Sequence, residues 1–310
     1  MTASTTSKPE LSLADVDRFL RDHYAAVTHI TLLKGGAWST AFGFNSGGEP
    51  LVVRFGQHGE DYAKDRMAAN WSLPLLPTPP VFEVGEAFDG AFAVSQRLHG
   101  DKLDGLPAQR LTIAVDALMQ SLVVLRTVEL PGRGYGIWLA PDGTAPHRSW
   151  RDFLVAVPHR DDVRLRGWRE RLAAVPDAQR VFDRGQLLLE QLAHHCADER
   201  GVIHSDLLYG NVLVSQDNRI SAIFDWGNSL AGDSLYDVAW LMFWAPWHPG
   251  IDVDRVRRSA WTHFGGAEFD ERLTCYQLHI ALAGMQYQAF AGLSDDLDST
   301  ARRTTLLLHR

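Results

Sequence analysis

The chain has 310 residues, 45% of them hydrophobic, and a formal net charge of -8. This length and composition allow a substantial core in one two-lobed unit or two domains, and the negative charge argues against nucleic acid as a partner. We expect no membrane association, because no apolar run reaches the length of a membrane span and no signal peptide is present. Two cysteines, Cys196 and Cys275, fit a reducing compartment. A monomeric cytoplasmic protein is therefore expected.

The first hundred residues are predicted to form an antiparallel sheet with two helices. Ser12 and Asp15 resemble a capping pair and open an amphipathic helix. Apolar alternation bounded by glycine and proline then predicts strands, and a second helix is predicted at residues 61–71. The predicted strands are residues 30–33, 41–45, 51–55, 81–84 and 91–98.

A glycine-bearing loop, residues 34–40, joins the first two predicted strands. Backbone N–H groups of such a loop can bind phosphate oxygens, so Gly36 and Ser39 are candidate phosphate contacts. Two glycines between strands more often mark only a hairpin, and that reading stays open. The chain contains no Gly-x-x-x-x-Gly-Lys-Ser/Thr sequence, which argues against a P-loop enzyme.

Beyond residue 100 the apolar period changes from two to about 3.6, which is typical of helices. Leu111, Leu118 and Leu125 belong to one apolar helical stripe. A polar loop rich in glycine and proline covers residues 131–146. Helices are predicted next at residues 150–157, 164–174 and 178–196, and further helices are expected after residue 251.

Three side chains with hard oxygen atoms, Asp206, Asn211 and Asp225, lie in loops between short apolar runs. Their spacing matches His-x-Asp-x-x-x-x-Asn followed by a second Asp beyond a hairpin. At phosphoryl-transfer sites of this form the first Asp accepts the proton of the substrate hydroxyl, while Asn and the second Asp hold Mg²⁺. Magnesium usually takes only one or two carboxylates. Asp206 is therefore the predicted catalytic base, and His204 is predicted to brace the loop.

These residues, together with residues 223–226 and 232–239, resemble the aminoglycoside phosphotransferase family, small-molecule kinases with a protein-kinase-like fold. Within the family, residues 62–66, 76–79 and 243–247 resemble the hygromycin B phosphotransferases. The resemblance implies ATP, with GTP left open, and Mg²⁺ as cofactors. It also implies an aminoglycoside acceptor, hygromycin B in the first place.

The family resemblance implies an α+β fold with two lobes. The N-terminal lobe, residues 1–98, would hold the antiparallel sheet and its helices, and the larger, mainly helical lobe would comprise residues 99–310. The segment that leaves the last strand would be the hinge, where backbone groups of Gln96 and Leu98 bind adenine.

Protein kinases place on the third strand a lysine that holds the nucleotide phosphates and pairs with a glutamate of the next helix. The matching cation here is Arg54, as in the hygromycin enzymes, and its implied partner is Asp65. Glu60 and Asp61 compete for that role. An alternative is that Arg54 and Asp65 are ordinary surface charges.

The implied acceptor site includes Asp206 with Tyr209, Gly210, Trp244 and Trp247. Aromatic faces stack on sugar rings and attract amines, and Pro246 should turn Trp247 out of its helix. An excess of acidic residues between 198 and 254 favours a cationic aminoglycoside.

Several other functions stay open from the sequence. The runner-up is a kinase of the same family for another aminoglycoside, choline, homoserine or a similar alcohol. A non-catalytic nucleotide-binding scaffold is a further alternative, although such proteins generally lose one of the three polar side chains. A protein kinase is disfavoured, because Trp226 replaces the usual Phe and no Ala-Pro-Glu sequence follows.

Overall fold

The computed structural model describes residues 8–33, 36–159, 163–208 and 210–309. The chain forms two compact units that are interleaved in sequence. Unit 1 comprises Met1–Leu106, Leu139–Pro141 and Asp206–Asn228, and unit 2 comprises Pro107–Trp138, Asp142–Ser205 and Ser229–Arg310. The segment with the three predicted polar side chains therefore groups with the N-terminal residues. The division into lobes at residues 98 and 99 stays a prediction.

The described residues contain eleven strands and ten α-helices, besides short 3₁₀ turns. The strands are β1 Val27–Leu33, β2 Ser39–Ser46, β3 Glu49–Gly56, β4 Val81–Ala87, β5 Gly90–Gln96, β6 Asp101–Lys102, β7 Gly136–Ile137, β8 Gly201–Ile203, β9 Val212–Val214, β10 Ile220–Ile223 and β11 Leu230–Gly232. The helices are α1 Leu13–His23, α2 Gly59–Ala68, α3 Ala108–Leu125, α4 Trp150–Val155, α5 Trp168–Ala173, α6 Pro176–Leu192, α7 Leu235–Trp244, α8 Val253–Phe264, α9 Phe269–Ala291 and α10 Ser294–Leu307.

Unit 1 is built on an antiparallel sheet with the strand order β1-β2-β3-β5-β4. All five strands were predicted, because their apolar side chains alternate and bury one face. Phe44 and Val53 on that face pack with Val16 and Leu20 of α1. The hydroxyl of Ser12 accepts a hydrogen bond from the Asp15 backbone N–H at the start of α1, as its sequence predicts.

A smaller sheet in unit 1, with the order β10-β9-β6, carries the polar side chains singled out from the sequence. Asn211 lies directly before β9, and Asp225 follows β10 by two residues. The hairpin of β9 and β10 therefore holds both residues at one end of this sheet. Helix α2 packs on β4 and β5 and on the short turn that follows Asp225.

Unit 2 is mainly helical, as predicted. The long helix α9 is its centre and packs against α5, α6, α7 and α10, while β7, β11 and β8 form a small antiparallel sheet. The predicted helix 164–174 is shorter than expected. Gly167 has a left-handed φ of 83°, which interrupts the helix, and α5 begins only at Trp168.

Helix α3 is long and apolar enough to cross a membrane by length and composition alone, which corrects the expectation that no apolar run has that length. Its apolar stripe is buried at Leu111, Leu118 and Leu125. A core helix of a globular protein passes the same test, so this property is weak evidence for a membrane span.

A buried carboxylate in unit 2 fixes the backbone just before Asp206. Asp237, in the first turn of α7, is 1% exposed. Its two oxygens accept hydrogen bonds from the backbone N–H groups of His204 and Ser205, both at 2.8 Å. Burial raises the pKa of Asp237 to about 7, although these two hydrogen bonds lower it.

The raised pKa of Asp237 predicts a specific pH dependence of stability. Between its ordinary value of 3.8 and about 7, the folded protein keeps a proton that the unfolded chain releases, so stability falls as pH rises. Asp237→Asn removes this contribution and should make the pH dependence of the thermal midpoint less steep between about pH 4 and 7. An amide has one acceptor oxygen, so one N–H group loses its partner at a cost of about 1–3 kcal/mol. An equally steep pH dependence in the variant would contradict this account.

Candidate functional site

The loop before β9 is held together by hydrogen bonds among its polar residues. The side-chain amide of Asn211 donates to the backbone carbonyl of Asp206 at 2.9 Å. The amide of Asn228 approaches the Asp206 carboxylate at 3.5 Å. Gly210 has a φ of 93°, a left-handed conformation that favours glycine, and a side chain at this position would also meet the Lys102 ammonium group.

Asp225 adopts a strained backbone conformation beside this loop. Its φ is 68°, which is uncommon for a residue with a side chain. The preceding Phe224 N–H donates to the carbonyl of Asn211 at 3.1 Å. The carboxylate then lies 3.7 Å from the Arg54 guanidinium group of β3. Asp225 and Asn211 are thus fixed next to each other by the hairpin between them.

Arg54 forms a buried ion pair with Asp65 of α2. The side chains are 13% and 5% exposed, so the alternative of ordinary surface charges is wrong. Of the three acids considered from the sequence, Asp65 is the ion-pair partner. The ring of Tyr62 lies 5.1 Å from the guanidinium carbon. Burial lowers the pKa of Arg54, but the charges of Asp65 and Asp225 outweigh burial and raise it, so Arg54 stays charged.

A cavity of about 340 Å³ in unit 1 gathers most of the predicted residues. Its walls contain every predicted nucleotide-binding and metal-binding residue: Gly36, Ser39, Arg54, Asp65, Gln96, Leu98, Asn211 and Asp225. The rest of the lining is largely apolar, with Leu33, Ala41, Val52, Val81, Leu213 and Ala222 among it. A pocket with apolar walls and a few convergent polar groups is the usual form of a small-molecule site.

Asp206 is not part of this lining among the described residues, but it contacts Asn211, which is. Burial raises the pKa of Asp206 to about 7, and the charges of Asp225 and Asp104 act in the same direction. One carboxylate oxygen of Asp104 is buried without a hydrogen-bond partner among the described residues. The carboxylates of Asp225 and Asp104 therefore both disfavour a negative charge on Asp206.

The predicted hinge uses two of its N–H groups within the sheet. The Gln96 N–H donates to the carbonyl of Pro80, and the Arg97 N–H donates to the carbonyl of Pro50, both at 3.0 Å. At Gln96, the carbonyl is therefore the backbone group that a ligand could use. The side chain of Arg97 reaches back over Gly43 of β2.

The two predicted tryptophan contacts, Trp244 and Trp247, lie in unit 2 and differ in their exposure to solvent. Trp247 is 37% exposed, because α7 ends at Trp244 and Pro246 stands in the following turn, as predicted. Trp244 was expected to face outward but is only 5% exposed. Its ring packs against Phe243, with ring centroids 4.9 Å apart.

Three residues named in the sequence predictions, Tyr209 of the acceptor site and Lys34 and Gly35 of the glycine-bearing loop, lie outside the described residues.

Comparison with known proteins identifies the family. The family model of the phosphotransferase enzyme family matches residues 29–273 of the chain. The chain belongs to this phosphotransferase family. A curated relative is the hygromycin-B 4-O-kinase of Escherichia coli, which is 28% identical over 293 residues, covering 93% of this chain and 83% of the relative.

Solved structures of other phosphotransferases share the fold. A thermostable mutant of aminoglycoside phosphotransferase APH(4)-Ia, in ternary complex with AMP-PNP and hygromycin B, has a TM-score of 0.80 and 26% identity over 95% of this chain and 98% of its own. APH(4)-Ia itself has a TM-score of 0.82 and 26% identity over 96% and 99% of the two chains. The predicted kinase-like α+β fold is thereby confirmed.

Four residues around this phosphotransferase site were missed in the sequence. Lys64 contacts the turn that follows Asp225, and Lys102 lies against Gly210. Asn228 lowers the pKa of Asp206, and Asp104 raises it. Lys64 lies inside residues 62–66, which were noted only as a resemblance. Asp104 lies six residues beyond the predicted hinge, and no local pattern there points to Asp206.

The Arg54–Asp65 pair should contribute to stability in a way that a double-mutant cycle reveals. Asp65→Asn keeps the shape of the side chain but takes from the buried Arg54 charge its closest partner, which should lower stability by about 3 kcal/mol. Adding Arg54→Met removes that stranded charge, so the double variant should lose less than the sum of the two single losses. Urea unfolding of the four proteins measures this difference. Strictly additive losses would show that the pair is not coupled.

Proposed function

We propose that this phosphotransferase is an ATP-dependent kinase that phosphorylates a hydroxyl group of hygromycin B and so gives resistance to that antibiotic. The main observation behind the proposal is that one cavity is lined by Arg54, Asn211 and Asp225 together. Support comes from the relatives: one is a hygromycin-B 4-O-kinase, and another was solved with AMP-PNP and hygromycin B. The 4-hydroxyl group is accordingly the proposed acceptor.

The nucleotide is proposed to occupy the cavity of unit 1. The apolar walls suit a purine base, with the Gln96 carbonyl and the Leu98 N–H as its backbone partners. Arg54 would bind phosphate oxygens, because a guanidinium group offers paired donors that match phosphate geometry. Gly36 and Ser39 line the same cavity and are proposed as further phosphate contacts.

Asn211 and Asp225 are the proposed magnesium ligands. Both carry hard oxygen atoms, both line the cavity, and the hairpin fixes them side by side, so the residues fit the ion. Among the described residues no three acidic, histidine or cysteine side chains gather into a metal cluster. The remaining ligands would thus be nucleotide phosphate and water, as is usual for Mg²⁺. Bound Mg²⁺ would neutralise charge on the phosphates.

Asp206 is proposed as the base that orients the acceptor hydroxyl and accepts its proton. Asn211 donates to its backbone carbonyl and the Asn228 amide approaches its carboxylate at 3.5 Å, so both the backbone and the carboxylate of Asp206 are positioned by neighbouring amide groups. Positioning and charge stabilisation would supply most of the rate enhancement, because the phosphoryl transition state is loose.

The charges near Asp206 favour a cationic acceptor. Asp104 adds a second carboxylate whose buried oxygen lacks a hydrogen-bond partner among the described residues, and an ammonium group of an aminoglycoside would supply one. Trp247 is retained as a proposed acceptor contact because its ring is partly exposed, and Gly210 and Tyr209 remain proposals. Buried Trp244 has little surface to offer. A monomer in the cytoplasm, where ATP is available, completes the proposal.

A coupled assay of ATP consumption across several acceptors tests the function. Hygromycin B should be turned over strongly, and kanamycin, gentamicin, streptomycin, choline and homoserine should give rates near background. Turnover of another acceptor alone would transfer the proposal to that substrate within the same family. Nucleotide binding without consumption for every acceptor would instead support a non-catalytic scaffold.

Asp206→Ala should abolish turnover while nucleotide affinity stays within about twofold of wild type. The expected loss is at least about a hundredfold in kcat, because general-base catalysis typically contributes 10²–10⁴-fold. Calorimetric titration with AMP-PNP and Mg²⁺ provides the matched binding measurement. Normal turnover in this variant would refute the assignment of Asp206 as the base.

A further inference from the structure

Helix α2 holds the turn after Asp225 through two adjacent side chains. The Lys64 ammonium group donates a hydrogen bond to the backbone carbonyl of Gly227 at 2.9 Å. The carboxylate of Asp65 accepts a hydrogen bond from the Trp226 backbone N–H at 2.7 Å. We call these four residues the α2 latch. Both residues that follow Asp225 are thus tied to a single turn of α2.

Lys64 is an unusual residue for this position. Its side chain is only 2% exposed, and lysine is almost never buried to this extent unless its charge is paired or hydrogen-bonded. A methionine would fill a similar volume without that desolvation. Because Lys64 is not among the described residues that line the cavity, direct contact with a nucleotide does not account for its charge. The hydrogen bond to Gly227 is one contact that compensates for its burial.

The backbone at Asp225, just before the α2 latch, has an unfavourable conformation that the surrounding contacts must stabilise. Asp225 has a left-handed φ of 68°, and such a conformation costs roughly 1–2 kcal/mol for a residue with a side chain. Gly227 lets the turn approach α2 closely, since a side chain there would come within 2.8 Å of Asp61. The strained Asp225 therefore lies between two fixed points, the Asn211 carbonyl before it and the latch after it.

We propose that Lys64 is a positioning residue for Asp225: by holding the Gly227 carbonyl, it keeps the Asp225 carboxylate oriented toward the metal of a bound nucleotide. The inference rests on the proposed role of Asp225 as a magnesium ligand. Lys64 acts through the backbone of the turn, so its loss should weaken the part of nucleotide affinity that depends on Mg²⁺. The part that depends on the base and on Arg54 should remain.

The test compares Lys64→Met with wild type by calorimetric titration of AMP-PNP, once with Mg²⁺ and once with EDTA. For wild type, Mg²⁺ should strengthen binding. In Lys64→Met this gain should shrink about tenfold, the size expected for loss of one hydrogen bond from a charged group, while affinity in EDTA stays within about twofold. Arg66→Met is the matched control, because it removes one positive charge from the exposed side of the same helix. Its two affinities should equal those of wild type.

A second variant guards against misfolding. Lys64→Leu also removes the donor but has a smaller apolar side chain, and it replaces Lys64→Met under the same expectations if that protein shows no cooperative thermal transition. Amide hydrogen exchange gives an independent readout, in which Trp226 and Gly227 should exchange faster in the variant while β3 and β5 stay protected.

Two results would contradict the proposed role of Lys64. An undiminished Mg²⁺ gain in the Lys64 variant would show that Asp225 is held without it. An equal loss of affinity in Mg²⁺ and in EDTA would show general damage to the cavity. A wild-type protein without any Mg²⁺ gain is a distinct outcome, because it would refute the metal ligands of the proposed function and the latch with them.

Discussion

The buried ion pair between Arg54 and Asp65 is the interaction on which the site depends. Arg54 comes from β3, Asp65 comes from α2, and the second Asp65 oxygen caps the backbone N–H of Trp226. One carboxylate therefore connects the sheet, the helix and the turn that carries Asp225. Two opposite charges in a poorly solvated place demand accurate geometry, because either charge alone would be expensive to bury. The ion pair therefore fixes the positions of Arg54 and Asp65 in the cavity wall.

Other polar residues position the loop before β9 and the hairpin of β9 and β10. Asn211 is tied to the backbone of Asp206, and Asp237 holds the two backbone N–H groups that precede Asp206 in the chain. The hairpin of β9 and β10 brings Asp225 back beside Asn211. Arg54, Asp65 and Asp225 are thus held by ion pairs and Asn211 by a contact with backbone, which suits a reaction that depends on positioning.

The predictions that succeeded rest on local patterns. Alternation of apolar residues gave the five strands of unit 1, and the spacing of Asp206, Asn211 and Asp225 gave a hairpin that brings the last two together. These features need only neighbours in sequence. The nucleotide-binding residues gathered in the cavity follow from the fold that the resemblance implied.

The features that could not be predicted from the sequence depend on long-range packing. Lys64 and Gly227 are 163 positions apart, and neither carries a local sign of the other. The grouping of residues 206–228 with unit 1 likewise follows from contacts distant in sequence. Trp244 was expected to face outward, but nearly all residues of α7 are buried, and a helix that is apolar all round lies in a core.

The central claim is that this site transfers a phosphoryl group from ATP to hygromycin B. Phosphorus NMR of the protein with ATP, Mg²⁺ and hygromycin B follows every phosphorus atom at once and tests that claim directly. We predict that the γ-phosphate signal is replaced by an equal phosphomonoester signal that appears only when hygromycin B is present. Release of inorganic phosphate alone, or an unchanged ATP spectrum, would contradict the account.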